Sequence, residues 1–342
     1  MNGLNVMAKI NSVLFICPNF FDYKKLIEEE LSKHFDKVHS FSDRPVCSSI
    51  SKALFKYNFP IYASRLSEKY CGDIYDSIAD DLSSISEVII IKGTCITPSF
   101  LQKLRNSNHN INITTYTWDS ISNIKTFVTL SKLSNHTYTF DLKDSQKYKI
   151  PYLPLFYNSN HHHEQHTHDK KIIFDYCFIG SYHGDRVNVL SRFLGPKKTI
   201  KHYVKIYFQS RLQYIFYYLL NPALRSCPKE WVTFKPISRK KLEEITAVSH
   251  HTIDIHHQKQ TGLTMRTWET LKSNSKLVTT NPTVLAHINS HNVTIIDRDT
   301  GHEWSTEQCD KYIKNLISED ERVKISGCLS LSEWVDALLT KG

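Results

Sequence analysis

The chain has 342 residues, 40% of them hydrophobic and 23% charged, with 10 glycines and 11 prolines. That composition excludes a disordered, collagen-like or low-complexity chain, and the length suits about two domains. The formal charge of +9 points to anionic partners: nucleotides, nucleic acid or an acidic membrane surface.

The first strand signal is Val13–Ile16, an apolar run closed by Cys17, Pro18 and Asn19. It reads as a strand, not as a signal peptide. Residues 23–35 follow as a helix, with Tyr23, Ile27 and Leu31 on one face. Residues 37–41 suit a second strand, and residues 48–82 are helical in composition. The β-branched run Val88–Ile91 stops at Gly93 and reads as a buried parallel strand. A helix and then an alternating strand follow, the strand reaching Trp118 before Asp119 and Ser120. This β-α-β-α order argues for a Rossmann-like parallel sheet.

Pro151, Pro154 and a His-rich run, His161–His168, mark a linker that is expected to be solvated. Alternation then restarts. Strands are expected at residues 172–179, 231–234, 252–255, 276–280 and 293–296, with helices at 239–248 and 265–271. Residues 197–225 are basic and aromatic, which suits an interfacial helix on anionic lipid or a core helix with a basic outer face. At the end, Ser330 and Glu333 form a capping-box pattern, and Leu331, Trp334, Val335 and Leu338 an apolar stripe. The expected boundaries are therefore 1–157, 158–171 as linker, 172–329, and a C-terminal helix at 330–342.

Eight cysteines lie at least 19 residues apart, so no C-x-x-C exists for zinc or redox chemistry. Reduced, buried thiols are expected. The longest apolar run, residues 214–220, falls far short of the roughly 20 residues of a membrane span. A cytoplasmic protein is expected.

Ligands of open α/β sheets sit beyond the carboxyl ends of strands. That places chemistry at Asn19, Gly93, Asp119, Gly180, Lys235 and residues 256–264. The loop before 265 carries Gly262 and Leu263, with Thr264 as a plausible N-cap. Arg266 and Glu269 follow at i, i+3, either as a surface ion pair or as an anion clamp with a ribose acceptor. After the strand ending at Gly180, Ser181 could donate to phosphate and Arg186 could clamp an oxyanion. Asp119 is either a helix cap or a partly desolvated base whose pKa is raised by burial beside Trp118. His183 and Asp22 are the next candidates for a base.

Taken in order, TYTWDS, TFDLKDSQKY, YLPLFY, DYCFIGSYHGDR, TGLTMRTWETLKSNSKLVTTN and IIDRD resemble bacterial lipopolysaccharide and capsule glycosyltransferases. These are related to spore-maturation-type glycosyltransferases. The resemblance spans roughly residues 85–300. It implies a GT-B α/β fold: two facing Rossmann-like domains with parallel sheets and an interdomain cleft. It implies an N-terminal acceptor domain and a C-terminal nucleotide-sugar domain. Gly262, Leu263 and Thr264 would lie near the donor diphosphate, Glu269 near the ribose, and Ser181 and Arg186 across the phosphates.

The resemblance also implies no metal or cofactor, with positive groups stabilising the departing nucleotide. Its partners would be a nucleotide-sugar donor and a lipid-linked or oligosaccharide acceptor. The basic aromatic segment adds an anionic inner-membrane surface as an expected partner, and with no RRM, KH or helix-turn-helix pattern no nucleic acid is expected. Many retaining relatives carry two glutamates eight positions apart; Thr261 stands where the first would be, which leaves inversion and retention both open. Two other readings compete with this one. A non-catalytic envelope or nucleic-acid scaffold would use the basic aromatic segment. A nucleotide-sugar epimerase would need G-x-G-x-x-G after the first strand, where no glycine occurs.

Overall fold

A computed structural model of the chain describes residues 11–19, 22–45, 60–124, 126–158, 171–288, 291–317 and 327–339. The His-rich run, residues 46–59 and the chain ends lie outside them. The chain divides into two compact units. The first comprises Met1–Phe140, Asp144–Leu153 and Leu331–Gly342; the second comprises Asp141–Lys143 and Pro154–Ser330.

The first unit is built on a parallel sheet. Strand β1 (Ser12–Ile16) is buried at all five positions. A continuous apolar run is what a central parallel strand needs, because helices cover both faces. Helix α1 (Tyr23–Leu31) buries Tyr23, Ile27 and Leu31, the face read from the sequence. Then come β2 (Lys37–Phe41), α2 (Pro60–Ser77) and β3 (Ile85–Ile91). Helix α3 (Pro98–Ser107) starts with Thr97 as cap and Pro at the first turn, and buries Phe100, Leu101 and Leu104. Strand β4 (Asn112–Thr117), α4 (Phe127–Leu133), β5 (His136–Thr139) and α5 (Leu142–Tyr148) follow. The strand order is β2-β1-β3-β4-β5.

The second unit repeats the plan. After β6 (Phe156–Tyr157) come β7 (Phe174–Ser181), α6 (Arg186–Leu194) and β8 (His202–Tyr207). Next are α7 (Arg211–Leu220), α8 (Pro222–Ser226), β9 (Val232–Thr233) and α9 (Arg239–Ala247). Strand β10 (Ser249–Asp254), α10 (Met265–Leu271), β11 (Lys276–Thr279) and β12 (Val293–Ile295) complete the sheet, followed by α11 (Thr306–Ile317) and β13 (Leu329–Ser330). The sheet order is β12-β11-β10-β7-β8-β9, and β13 pairs with β6 separately.

Two sequence expectations change here. The basic aromatic stretch is not one helix. Val204 and Ile206 are buried while Tyr203, Lys205 and Tyr207 are only half-buried, so a period of two makes β8 first. The strand expected at 231–234 shrinks to Val232–Thr233, because Trp231 ends a short 3₁₀ turn and Phe234 is exposed.

The last helix, α12 (Leu331–Leu339), belongs to the first unit. Its stripe of Leu331, Trp334, Val335 and Leu338 is buried as the sequence predicts. The Trp334 ring meets Tyr116 edge-on at 5.0 Å. Thr114 Oγ1 donates to the Leu338 carbonyl at 3.4 Å. Each buried apolar side chain contributes about 1.5–3 kcal/mol, enough together to hold a nine-residue helix that would not persist alone.

Candidate functional site

The second sheet reverses its order between β7 and β10: β8 and β9 extend one side, β11 and β12 the other. Loops leaving the two central strands part there and open a crevice at the carboxyl ends. After β7, Ser181 leads through Gly184, at φ +50°, into α6 at Arg186. After β10, Ile255 and His256 lead towards α10.

Arg186 ties these two exits together. Its Nε donates to the Ile255 carbonyl at 2.9 Å and its Nη1 to the Ser181 carbonyl at 3.0 Å. Arg298, just beyond β12, joins from the far side. It donates to Asp185 Oδ1 at 2.7 Å, the His256 carbonyl at 2.8 Å and Thr280 Oγ1 at 3.1 Å. Asp185 Oδ2 also accepts from Gln258 at 2.8 Å. Burial pulls the Arg186 guanidinium below its usual value; Asp254 and Asp185 oppose this, while Arg266 and Arg298 add to it as like charges. Three guanidiniums thus share the site with two carboxylates. The Arg266 Nη1 atom is buried with no hydrogen-bond partner. Such a group carries a desolvation cost that an arriving anion would remove.

His256 completes the cluster. Its Nδ1 lies 2.8 Å from Thr280 Oγ1 and 3.1 Å from Arg298 Nη2. An arginine can only donate, so Nδ1 acts as acceptor and the ring is neutral. Burial, and then Arg298, lower its pKa from 6.5 to about 3. The unfolded chain takes up a proton below pH 6.5 that the folded chain refuses until about pH 3. Stability should therefore fall with pH across that window, by at most roughly 5 kcal/mol from this group. His256→Asn should flatten that slope in thermal melts taken at neutral and mildly acidic pH. An unchanged slope would contradict the neutral, buried imidazole.

Thr264 is the N-cap of α10, as the sequence suggests, accepting from the Thr267 amide at 3.2 Å. Asp254, at the end of β10 and buried, fixes that turn by accepting from the Thr264 and Thr267 hydroxyls at 2.7 and 2.6 Å. Two of the amides preceding the helix, those of Thr261 and Gly262, are already engaged. Asp141, buried to 2% exposure, accepts from the Thr261 and Gly262 N–H groups at 2.5 and 2.9 Å and from the Thr261 hydroxyl at 2.7 Å. Asn281 Nδ2 holds the Thr261 carbonyl at 3.0 Å. Gly262 and Leu263 are buried, and α10 has only seven residues. The loop is thus braced from within by Asp141 and Asn281.

The remaining sequence candidates separate. Glu269 pairs with Arg239 at 3.3 Å, and Arg239 also holds Glu243 at 2.9 Å. Ser181 is exposed at the strand end. A Cβ at Gly180 would meet the tip of the Phe178 ring at 2.9 Å, so glycine leaves that ring its place. Lys235 is exposed beyond β9, which lies two strands from β7 in the sheet order. His183 is exposed after β7, its ring 4.4 Å from that of His257.

In the first unit, Asp119 follows β4 and is partly buried. Oδ2 takes the Lys92 ammonium at 2.7 Å; Oδ1 accepts from the Ser120 amide at 2.9 Å and Asn123 Nδ2 at 3.0 Å. Burial alone would raise its pKa, but Lys92, Asn123 and the Ser120 amide outweigh it and hold the carboxyl below its usual value. The expected upward shift is reversed, because the sequence could not show that Lys92 would lie alongside. Lys92 adopts φ +68°, uncommon for a residue with a Cβ, and its amide donates to the Tyr116 carbonyl at 2.7 Å. Asp22 directly precedes α1 and is exposed.

Sequence reasoning did not assign roles to Asp141, Asp185, Asp254, His256 or Arg298. Their position at strand ends was visible; their convergence from three separate crossovers was not. Among the described residues, no three His, Cys, Asp or Glu side chains are grouped to hold a metal.

No family profile and no curated protein sequence matches the chain. Among solved structures, its fold is similar to that of an alpha-glucosyltransferase in complex with UDP and a 13-mer DNA containing a central A:G mismatch. The TM-score is 0.50 at 11% identity, over 90% of each chain. The fold class is GT-B: two α/β units, each on a Rossmann-like parallel sheet.

Proposed function

We propose that the chain is a glycosyltransferase that takes its sugar from a nucleotide-sugar donor held by the second unit. The observation that carries this is the surplus of guanidiniums at the β7/β10 switch point, with Arg266 Nη1 unpartnered. A nucleoside diphosphate supplies the missing negative charge and the acceptor oxygens. The fold shared with a UDP-bound glucosyltransferase supports the same reading.

In the reaction, an acceptor hydroxyl forms a bond to the sugar's anomeric carbon as the bond to the diphosphate breaks. The electron pair leaves with the nucleotide, where Arg186, Arg266 and Arg298 stabilise the added charge without a metal. For an inverting course, Asp119 takes the hydroxyl proton. The acceptor is a lipid-linked or oligosaccharide glycan of surface polysaccharide synthesis, as the sequence resemblance implies. A lipid-linked acceptor would bring the protein to the cytoplasmic face of the inner membrane.

A thermal-shift screen of UDP-, GDP-, dTDP- and CMP-sugars tests the donor. A true donor at 100 times its Kd stabilises by about 2.7 kcal/mol. The bound donor is then offered lipid-linked glycans and, separately, duplex DNA. Stabilisation by one donor and transfer to a glycan is the expected result. No shift with any donor would remove the proposal, and transfer to DNA would replace its acceptor.

A further inference from the structure

Helix α7 turns its apolar stripe outward. Leu212, Ile215, Phe216, Leu219 and Leu220 recur at the spacing of one helical face, the face a globular protein normally buries. Here Leu212 is 80% exposed, Leu219 68% and Leu220 64%, and Ile215 and Phe216 are more than half exposed. Packing comes from the other side. Tyr217 lies 4.6 Å from Tyr182 and Tyr214 lies 5.1 Å from Phe208, ring to ring. The ends are tied as well: Ser210 caps the first turn through the Gln213 amide at 3.1 Å, and Arg225 donates to the Leu219 carbonyl at 2.8 Å. The helix is therefore held without its stripe. A contiguous apolar surface of this kind marks an interaction site.

We propose that this stripe inserts into the headgroup boundary of an anionic phospholipid bilayer. The charge of this part of the chain selects that occupant. Arg211 opens α7 and Arg225 bonds its last turn, and residues 197–229 carry seven lysines and arginines before the first acidic residue, Glu230. A second copy packed on the same stripe would set those cations against each other. A bilayer offers acyl chains to the stripe and phosphate to the cations. Ten residues of helix reach about 15 Å, half of the roughly 30 Å core, so α7 lies in the interface plane and does not cross it. No described helix is long and apolar enough to span. The placement stands independently of the transfer reaction.

Co-sedimentation of the full chain tests it. The vesicles are phosphatidylcholine containing about a third phosphatidylglycerol, and phosphatidylcholine alone, each at low and high salt. Binding should favour the anionic vesicles by at least about tenfold and weaken with salt. The variant Leu212→Ser with Phe216→Ser and Leu219→Ser should lose at least about tenfold in that binding while keeping its melting temperature, since those side chains are exposed. Phe216→Trp should show blue-shifted emission on adding anionic vesicles. The proposal is overturned if wild type ignores the vesicles or the triple variant binds equally well. It is also overturned if light scattering finds a dimer that the triple variant abolishes, with no lipid binding.

Discussion

Asp119→Asn should lower turnover by about 10²–10⁴-fold, the range for losing a general base, with donor affinity intact. The variant keeps an Oδ1 acceptor for the Ser120 amide and Asn123, so the turn after β4 survives. What it loses is the negative charge that faces Lys92 at 2.7 Å. Lys92 helps hold the carboxyl below its usual value, so Asp119 is ionised at neutral pH but is a weaker base than a free aspartate. The same pairing contributes stability that is present at neutral pH and lost as pH falls below 3.8. Lys92→Gln should therefore move the acid limb of the rate profile to higher pH. Turnover within a few-fold of wild type in Asp119→Asn would confine the carboxylate to its ion pair.

Arg266→Gln should weaken nucleotide binding by about 10- to 150-fold, corresponding to roughly 1.5–3 kcal/mol for one charge-assisted hydrogen bond. The Nη1 atom has no internal partner, so its removal strands nothing and the melting temperature should hold. Arg186→Ala makes the contrast. It would strip the donor from the Ile255 carbonyl, about 1–3 kcal/mol if left buried and unsatisfied, while water can replace the donor at the exposed Ser181 carbonyl. That variant should melt earlier as well as bind less. Equal nucleotide affinity in wild type and Arg266→Gln, measured by calorimetric titration, would remove Arg266 from the donor site.

Much of the fold was legible because parallel strands announce themselves. Val13–Ile16 and Val88–Ile91 are too apolar to be anything but central strands, and both are buried. The stripe of α12 and the Thr264 cap were equally plain, since each rests on contacts within one turn. The site was legible only in part. Arg186 and Arg266 stand out in the sequence because they lie in the first turns of helices that follow strands. Asp141 and Arg298 do not, because they lie 120 and 42 residues from the groups they brace, Thr261 for one and His256 for the other, and no local pattern encodes that distance. Charge context failed for the same reason: Asp119's environment depends on Lys92 from another strand. Helix α7 differs again. Its composition suits an interfacial face as well as a buried one, and only the fold reveals that the tyrosines between the stripe positions do the packing.

Hydrogen exchange of the full chain with and without its donor nucleotide tests the central claim most directly. Two loops and the turn after β12 surround the arginines, so protection should concentrate at residues 178–190, 255–270 and 296–300. Arg266→Gln should lower that protection at a fixed nucleotide concentration. Saturating nucleotide that leaves those three segments unchanged, or that protects only the first unit, would contradict the account.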